Sequence, residues 1–506
     1  MHTTDTDTSV RIAHLHADLD HSLAALQENP ERVEASRAVV DDVLDDGAPH
    51  YGINTGFGAL AQKQVPADAL EQLQRNLVLS HAVGVGDRVP KRISRLMLKL
   101  KVHALGLGYS GVSRDTFDRL LLFVEHDWVP AIPSRGSVGA SGDLAPLAHM
   151  ALPLLGRGRF WTEDGTDVRP AREVLDAHDV EPLTLQPKDG LALINGTQFM
   201  SGYGAHVLQK AQRLVTMADL LAAMSLEALQ GSITPFDARL HEVRPHPGAQ
   251  DVAWNVRTLL VDSEILESHR NCGKVQDPYC LRCVPQVHGA SRDALGHATK
   301  VVEREVNSVT DNPIVFPNGD VISGGNFHGQ PIALALDHAA IALAELASIS
   351  ERRIYLLLEG HDGLPELLME DTGLNSGFMI PQYTAAALVS ENKSLCHPAS
   401  VDSIPTSLGQ EDHVSMGSIG ATQLLEVLDN VEHVLAIELL TAAQALDYRR
   451  PLCPGRGVEV AHERIRHHIP HREEDYLFDD EIDMSLALIR DSELLDAVAA
   501  EGAALR

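Results

Sequence analysis

Aromatic residues, lysine and cysteine are all scarce in this chain. Phe, Tyr and Trp make up 4% of 506 residues, so a core must be assembled from Leu, Ile, Val and Ala. The apolar fraction is 44%, enough for a large core and too much for a disordered polyanion. Lysine occurs only at Lys63, Lys91, Lys99, Lys101, Lys188, Lys210, Lys274, Lys300 and Lys393; the other basic residues are Arg. Lys and Arg number 41 against 71 Asp and Glu, a formal net charge of -30. That balance excludes nucleic-acid binding, because a phosphate backbone needs a basic surface to displace its counterions. It excludes docking on an anionic membrane for the same reason. Five Cys (Cys272, Cys280, Cys283, Cys396 and Cys453) are too few, and odd in number, for a disulfide framework. They read as reduced thiols of a cytoplasmic protein. No uninterrupted apolar run approaches the ~18 residues of a membrane helix. The polar start, MHTTDTDTSV, does not read as a signal peptide.

Length alone suggests about three domains. Composition divides the chain into 1–197, with short helices and Gly and Pro punctuation, 198–456, with long helical stretches, and 457–506, a charged, His-rich helical cap. In 332–358, Ile332, Leu336, Leu343, Leu346 and Ile349 form one apolar stripe among Ala, which lets helices approach closely. In 419–446, Leu424, Leu428, Val431, Leu435 and Leu439 repeat it, with Glu426, Asp429 and Glu432 on another face. Residues 198–229 and 289–309 read as helices too. The simplest architecture is a mainly α bundle of long antiparallel helices with a mixed N-terminal domain. One hairpin is expected, Ile314–Phe316 and Val321–Ile322 around Asn318-Gly319.

The oddest local composition is Ser134 to Leu147, where Gly139-Ala140-Ser141-Gly142 precede Asp143 and an apolar run. One reading is a helix start with Ser141 or Asp143 as N-cap. A phosphate turn lacks both G-x-x-x-x-G-K-[ST] and G-x-G-x-x-G. A hydrolase elbow needs Gly where Asp143 stands. A third reading is chemical. Gly142 N is an unhindered amide nucleophile. A bent tripeptide lets it attack the Ala140 carbonyl carbon, and loss of water and of the Ser141 hydroxyl leaves 4-methylidene-imidazol-5-one (MIO), an electrophile made from the chain itself.

Other segments point the same way. Tyr51 opens a Gly-rich loop, Tyr51-Gly52-Ile53-Asn54-Thr55-Gly56-Phe57-Gly58. Ser80-His81 comes just before a Gly-Val-Gly, and Asn195-Gly196-Thr197-Gln198 opens a long helix. Gln276 to Cys283 packs an amide, the Tyr279 phenol and the Arg282 guanidinium into one short stretch. Phe327 follows the hairpin in Gly325-Asn326-Phe327-His328, and Glu411 lies in the polar turn Ser407 to His413. Each has a bland alternative: Tyr51 as a loop anchor, Glu411 as a first-turn helix acid, Arg282 as a surface charge. Cys280-x2-Cys283 lacks a second ligand pair, and His241-Glu242 and His462-Glu463 lack a second His, so no metal site is expected.

Together these segments resemble the MIO-dependent aromatic amino-acid ammonia-lyases, from Tyr51 to Met416, with residues 136–149 the most specific match. The resemblance implies an aspartase/fumarase-like helical fold and a homotetramer whose active sites each draw on three chains. It implies MIO from Ala140, Ser141 and Gly142, with no external cofactor and no metal. Tyr51 would be the base, with its phenol pKa lowered by nearby positive charge. Arg282 would grip the substrate carboxylate. Asn195, Gln276 and Tyr279 would line the site, Phe327 would pack beside MIO, and His81 and Glu411 would meet the far end of the substrate. A phenyl ring would leave Glu411 desolvated and unpaired, whereas an imidazole offers two nitrogens that can carry protons. The implied substrate is therefore L-histidine and the product trans-urocanate. Gln330, where many bacterial members of that branch have Glu, is a departure.

None of these positions needs a charge of -30. The excess acid, with few Lys beside many Arg, fits the hydrated surface of a halophile protein, where screening weakens self-repulsion. The expected outcome is loss of the tetramer on transfer to dilute buffer, read by light scattering; a tetramer that persists there contradicts the halophilic reading.

Overall fold

A computed structural model of the protein describes residues 9–45 and 48–506. It is mainly helical, and its strands form two-stranded sheets. The longest helices are Gln198–Ala228, Val284–Val306, Gln330–Leu357 and Gly417–Asp447, all over stretches expected to be helical. The hairpin pairs Ile314 with Ile322 and Val315 with Val321. Its turn closes by Phe316 N–H donating to Asp320 O (2.8 Å), with Gly319 at φ +95°.

Close contacts sort the chain into two compact units. The first comprises Met1–Gln209, Ala298–Asp337 and Pro398–Thr422; the second comprises Lys210–His297, His338–His397 and Gln423–Arg506. A division at residues 197 and 456 follows order along the chain. The units do not, because residues 298–337 and 398–422 return to the N-terminal stretch.

In the first unit, small residues let helices meet backbone to side chain. A Cβ on Gly204 would lie 2.7 Å from Leu336 Cδ2, and one on Gly417 would lie 2.8 Å from Ala333 Cβ. The Ala-rich stripe of the Gln330–Leu357 helix therefore serves close approach. That helix is apolar enough to pass for a membrane span (mean hydropathy 1.7 over its best 18 residues), but 67% of that stretch is buried.

The second unit is built on Leu424, Leu428, Val431, Leu435 and Leu439, all buried. Of the three acids placed on another face, Glu426 is exposed but Glu432 is buried. Glu432 is tolerated because Lys210 (3.1 Å) and Arg490 (2.6 Å) pair with it. Deeper still, the fully buried Arg353 forks onto Glu438 (Nη2 to Oε2, 2.8 Å), which also accepts from Ser225 Oγ (2.8 Å). His288 Nδ1 and Arg292 Nη2 converge on buried Asp219 at 2.8 and 2.7 Å. Such ion pairs are costly to break, because the surviving charge stays buried. Glu438→Leu is expected to destabilise the protein by roughly 3–5 kcal/mol. Arg353→Met combined with it should recover most of that loss in thermal unfolding.

Candidate active site

Ser141 sits at the end of a turn only glycine can make. Gly139 has φ +70° and Gly142 φ +72°. A Cβ on Gly142 would stand 2.1 Å from Gly196 O, and one on Gly139 2.1 Å from Ser415 Oγ. Gly142 and Gly196 form a parallel bridge, in which Asp143 N–H donates to Gly196 O (2.8 Å) and Gly196 N–H to Ser141 O (3.3 Å). From the other side Met416 N–H donates to Val138 O (3.0 Å) and Ser418 Oγ to Ser137 O (2.7 Å). Ala140 is buried with Val414 and Met416.

Asp143 precedes the Leu144–Ala151 helix, as an N-cap should, but its side chain does not cap it. Asp143 Oδ2 instead accepts from Phe199 N (3.0 Å) and Met200 N (3.1 Å), at the start of the Gln198–Ala228 helix. Two unpaired helix amides and the helix dipole favour a carboxylate there. Burial wins all the same and pushes the Asp143 carboxyl up to about 7.

Ser141 opens onto a cavity of about 870 Å3 in the first unit. Six of the expected site residues line it: Tyr51, His81, Ser141, Asn195, Phe327 and Glu411. Glu411 Oε1 lies 3.5 Å from Ser141 Oγ, and Oε2 accepts from Thr406 Oγ1 (2.8 Å). The turn before Glu411 is strained, with Ser407 and Leu408 at φ +52° and +56°. Its Ser407 Oγ accepts from Ala59 N–H (3.3 Å), in the loop that carries Tyr51.

His81 ends the Leu70–His81 helix. Its Nδ1 lies 2.8 Å from Leu77 O, which makes Nδ1 the protonated nitrogen and leaves Nε2 as an acceptor. Burial lowers its pKa, which keeps the ring neutral. Tyr51 OH accepts from Gly58 N–H (3.3 Å). The expectation that positive charge lowers its pKa is not met in this unit. Burial raises the phenol, and Glu411 and Asp311 push the same way. Among the described residues, no Lys or Arg lines the cavity.

Asn195 is buried at the cavity wall. Its Nδ2 donates to Asn312 O (2.9 Å) and Asp311 Oδ1 (3.2 Å), and its carbonyl accepts from Lys101 Nζ (2.5 Å). Its Oδ1 is buried without a partner. Lys101, Lys188 and Asp311 were not singled out in the sequence. The available signal was a Lys amid the apolar run Leu100-Lys101-Val102 and the polar Thr310-Asp311-Asn312 before the hairpin.

Gln276, Tyr279 and Arg282 are not brought to this cavity. They belong to the second unit, where Gln276 and Arg282 line a separate cavity of about 1010 Å3. Tyr279 is 70% exposed, and the Arg282 guanidinium stacks 4.7 Å from its ring centre. Arg282 Nε has no partner. Cys280 and Cys283 are unpaired thiols.

The residues present suit a ring closed from Ala140, Ser141 and Gly142. The turn admits only Gly at 142, the serine faces the cavity, and Asn195, whose amide oxygen has no partner, lines the same cavity.

Residues 6–467 match the aromatic amino acid lyase family, and the chain belongs to that family. It is 53% identical to a histidine ammonia-lyase of Anaeromyxobacter sp. (strain K), over 93% of each chain. Among solved structures it resembles the histidine ammonia-lyase of Trypanosoma cruzi, with 44% identity, a TM-score of 0.86, and 93% of this chain and 89% of the other covered. It also resembles the tyrosine aminomutase of Streptomyces globisporus, with 35% identity, a TM-score of 0.89 and 99% of each chain covered.

The buried Asp143 has a measurable consequence. Its pKa lies above that of the unfolded chain, so the folded state holds the extra proton between about 4 and 7. Its contribution to stability is present below that window and is lost as pH rises through about 7. Thermal melts between pH 5 and 8 should show Asp143→Asn with a flatter decline than the wild type.

Proposed function

We propose that this chain is a histidine ammonia-lyase, which eliminates ammonia from L-histidine to give trans-urocanate in the cytoplasm. One observation carries the substrate choice: His81 and Glu411 line the same cavity as Ser141. A protonated substrate imidazole can donate to both Glu411 and His81 Nε2, a neutral one to either, and a phenyl ring to neither. Asn195 meets the amine, and Phe327 flanks the reacting end. An MIO ring formed from Ala140, Ser141 and Gly142 supplies the electrophile that makes the amine a leaving group, with no external cofactor or metal.

Tyr51 is the base for the β-proton. Its raised pKa in the single chain means that it needs a cation to act at neutral pH. Arg282 is that cation. It arrives from another copy of the chain in a homotetramer, together with Gln276 and Tyr279, and its planar fork grips the carboxylate. Two facts support this. Among the described residues, no Lys or Arg lines the cavity within one chain. Leu334, Ile341 and Tyr355, at multiples of seven along the Gln330–Leu357 helix, stay exposed in the single chain, as do Ile380 and Tyr383 on the Met379–Leu395 helix.

The test is urocanate absorbance on adding L-histidine. Wild type should respond. Ser141→Ala should be silent yet folded, with an intact mass two waters closer to the calculated value than that of the wild type. Glu411→Gln should lower kcat/KM on the order of ten- to a hundredfold, the scale of one charged hydrogen bond. Turnover of L-phenylalanine or L-tyrosine in place of L-histidine overturns the substrate. Recovery of β-histidine instead of free ammonia moves the chain to the aminomutases.

A further inference from the structure

We infer that Lys101, Lys188 and Asp311 are positioning residues that fix the side-chain amide of Asn195, so that its Oδ1 is the acceptor for the substrate amine. The inference rests on the reading of this cavity as a histidine ammonia-lyase site. None of the three lines the cavity; Asn195 does. All are buried, with Lys188 at 0% and Lys101 at 2% exposure.

The two ends of an amide are told apart by what surrounds them. One end of Asn195 faces Asp311 Oδ1 and the Asn312 carbonyl, which are both acceptors, so that end must be the NH2 group. The oxygen is then forced the other way, where no protein group donates to it. An unpaired buried acceptor is costly unless a ligand donor meets it. A protonated amine is such a donor and a carboxylate is not. Asn195 is thus placed at the amine end of the substrate, away from its carboxylate.

Lys188 Nζ sits 2.7 Å from Asp311 Oδ2 and occupies that oxygen, which leaves Oδ1 to face Asn195. Asp311 Oδ1 is further steadied by Asn312 N–H (2.7 Å). Lys188 adopts a left-handed backbone, φ +76°, a conformation that persists only where surroundings enforce it. It leads directly into the Asp189–Ile194 helix, which ends at Asn195. Lys101 fixes the remaining freedom by donating to the Asn195 carbonyl (2.5 Å). It does so at a cost to itself, since burial drives its ammonium down to about 7. Main chain and side chain of one cavity residue are therefore held by charges behind the wall. These charges act on substrate only through Asn195.

Lys101→Met and Asp311→Asn test this beside the wild type, with urocanate kinetics, intact mass and circular dichroism on each. The double variant Lys188→Met with Asp311→Asn removes the ion pair without stranding a charge and replaces Asp311→Asn if that variant fails to fold; Lys101→Gln replaces Lys101→Met in the same way. The expected result is folded protein at the wild-type mass, with kcat reduced on the order of ten- to a hundredfold and KM within about threefold of wild type. Folded, wild-type-mass variants with unchanged kcat overturn the inference. So do variants whose mass shows the tripeptide left open, since the three residues would then serve ring closure and not turnover. A wild type that makes no urocanate overturns the functional reading itself; an active wild type with unaffected variants overturns the inference alone.

Discussion

The contact between Gly142 and Gly196 is the constraint on which the candidate site depends. A Cβ on Gly142 would run into the Gly196 carbonyl, and one on Gly196 would run into the Gln198 and Thr310 side chains. Their hydrogen bonds tie Ser141 and Asp143 to the residue that follows Asn195. The Asp143 carboxylate then caps the Gln198–Ala228 helix. One backbone bridge thus sets the reactive serine, the cavity amide and the start of a 31-residue helix in a single frame. A rigid support of this kind is what positioned chemistry needs, because small misplacements of reacting groups are expensive.

Charge is distributed with the same economy. The chain carries a large acidic excess, and several of the acids that lie inside are paired with a cation. Glu432 meets Lys210 and Arg490, Glu438 meets Arg353, and Asp311 meets Lys188. Buried Asp143, Asp189 and Glu227 are held by hydroxyls and backbone N–H groups instead, and among the described residues the cavity beside Ser141 has Glu411 at its wall and no Lys or Arg in its lining. Burial raises the Tyr51 phenol, Glu411 and Asp311 add to the rise, and the lack of an opposing cation is the physical reason to look for one on a second chain.

Much of this was legible in the residues. The long helices follow from apolar spacing near 3.6, and the Gln330–Leu357 helix shows its stripe directly. The hairpin follows from Asn318-Gly319 between β-branched pairs. Tyr51, His81, Ser141, Asn195, Phe327 and Glu411 could be selected because unusual polar residues interrupt Gly-rich or turn segments. Other features were out of reach. Nothing local shows that Asp143 caps a helix more than fifty residues away, or that Glu432, on a face read as polar, is buried by two distant cations. The raised Tyr51 pKa of the single chain could not be read locally either, because it follows first from burial and then from Glu411 and Asp311, which only folding brings near. The sequence names Arg282 but does not say on which side of the fold it lies.

What the sequence by itself determined is local: helix periods, glycine-only turns, the Ala-Ser-Gly tripeptide and an acidic composition. These depend on side chains within a few residues of one another. The tertiary structure alone decided which segments share a cavity, which buried charges are paired and which end of the Asn195 amide is free. Those outcomes depend on groups more than a hundred residues apart, such as Asn195 and Asp311, whose meeting is set by packing and not by spacing along the chain.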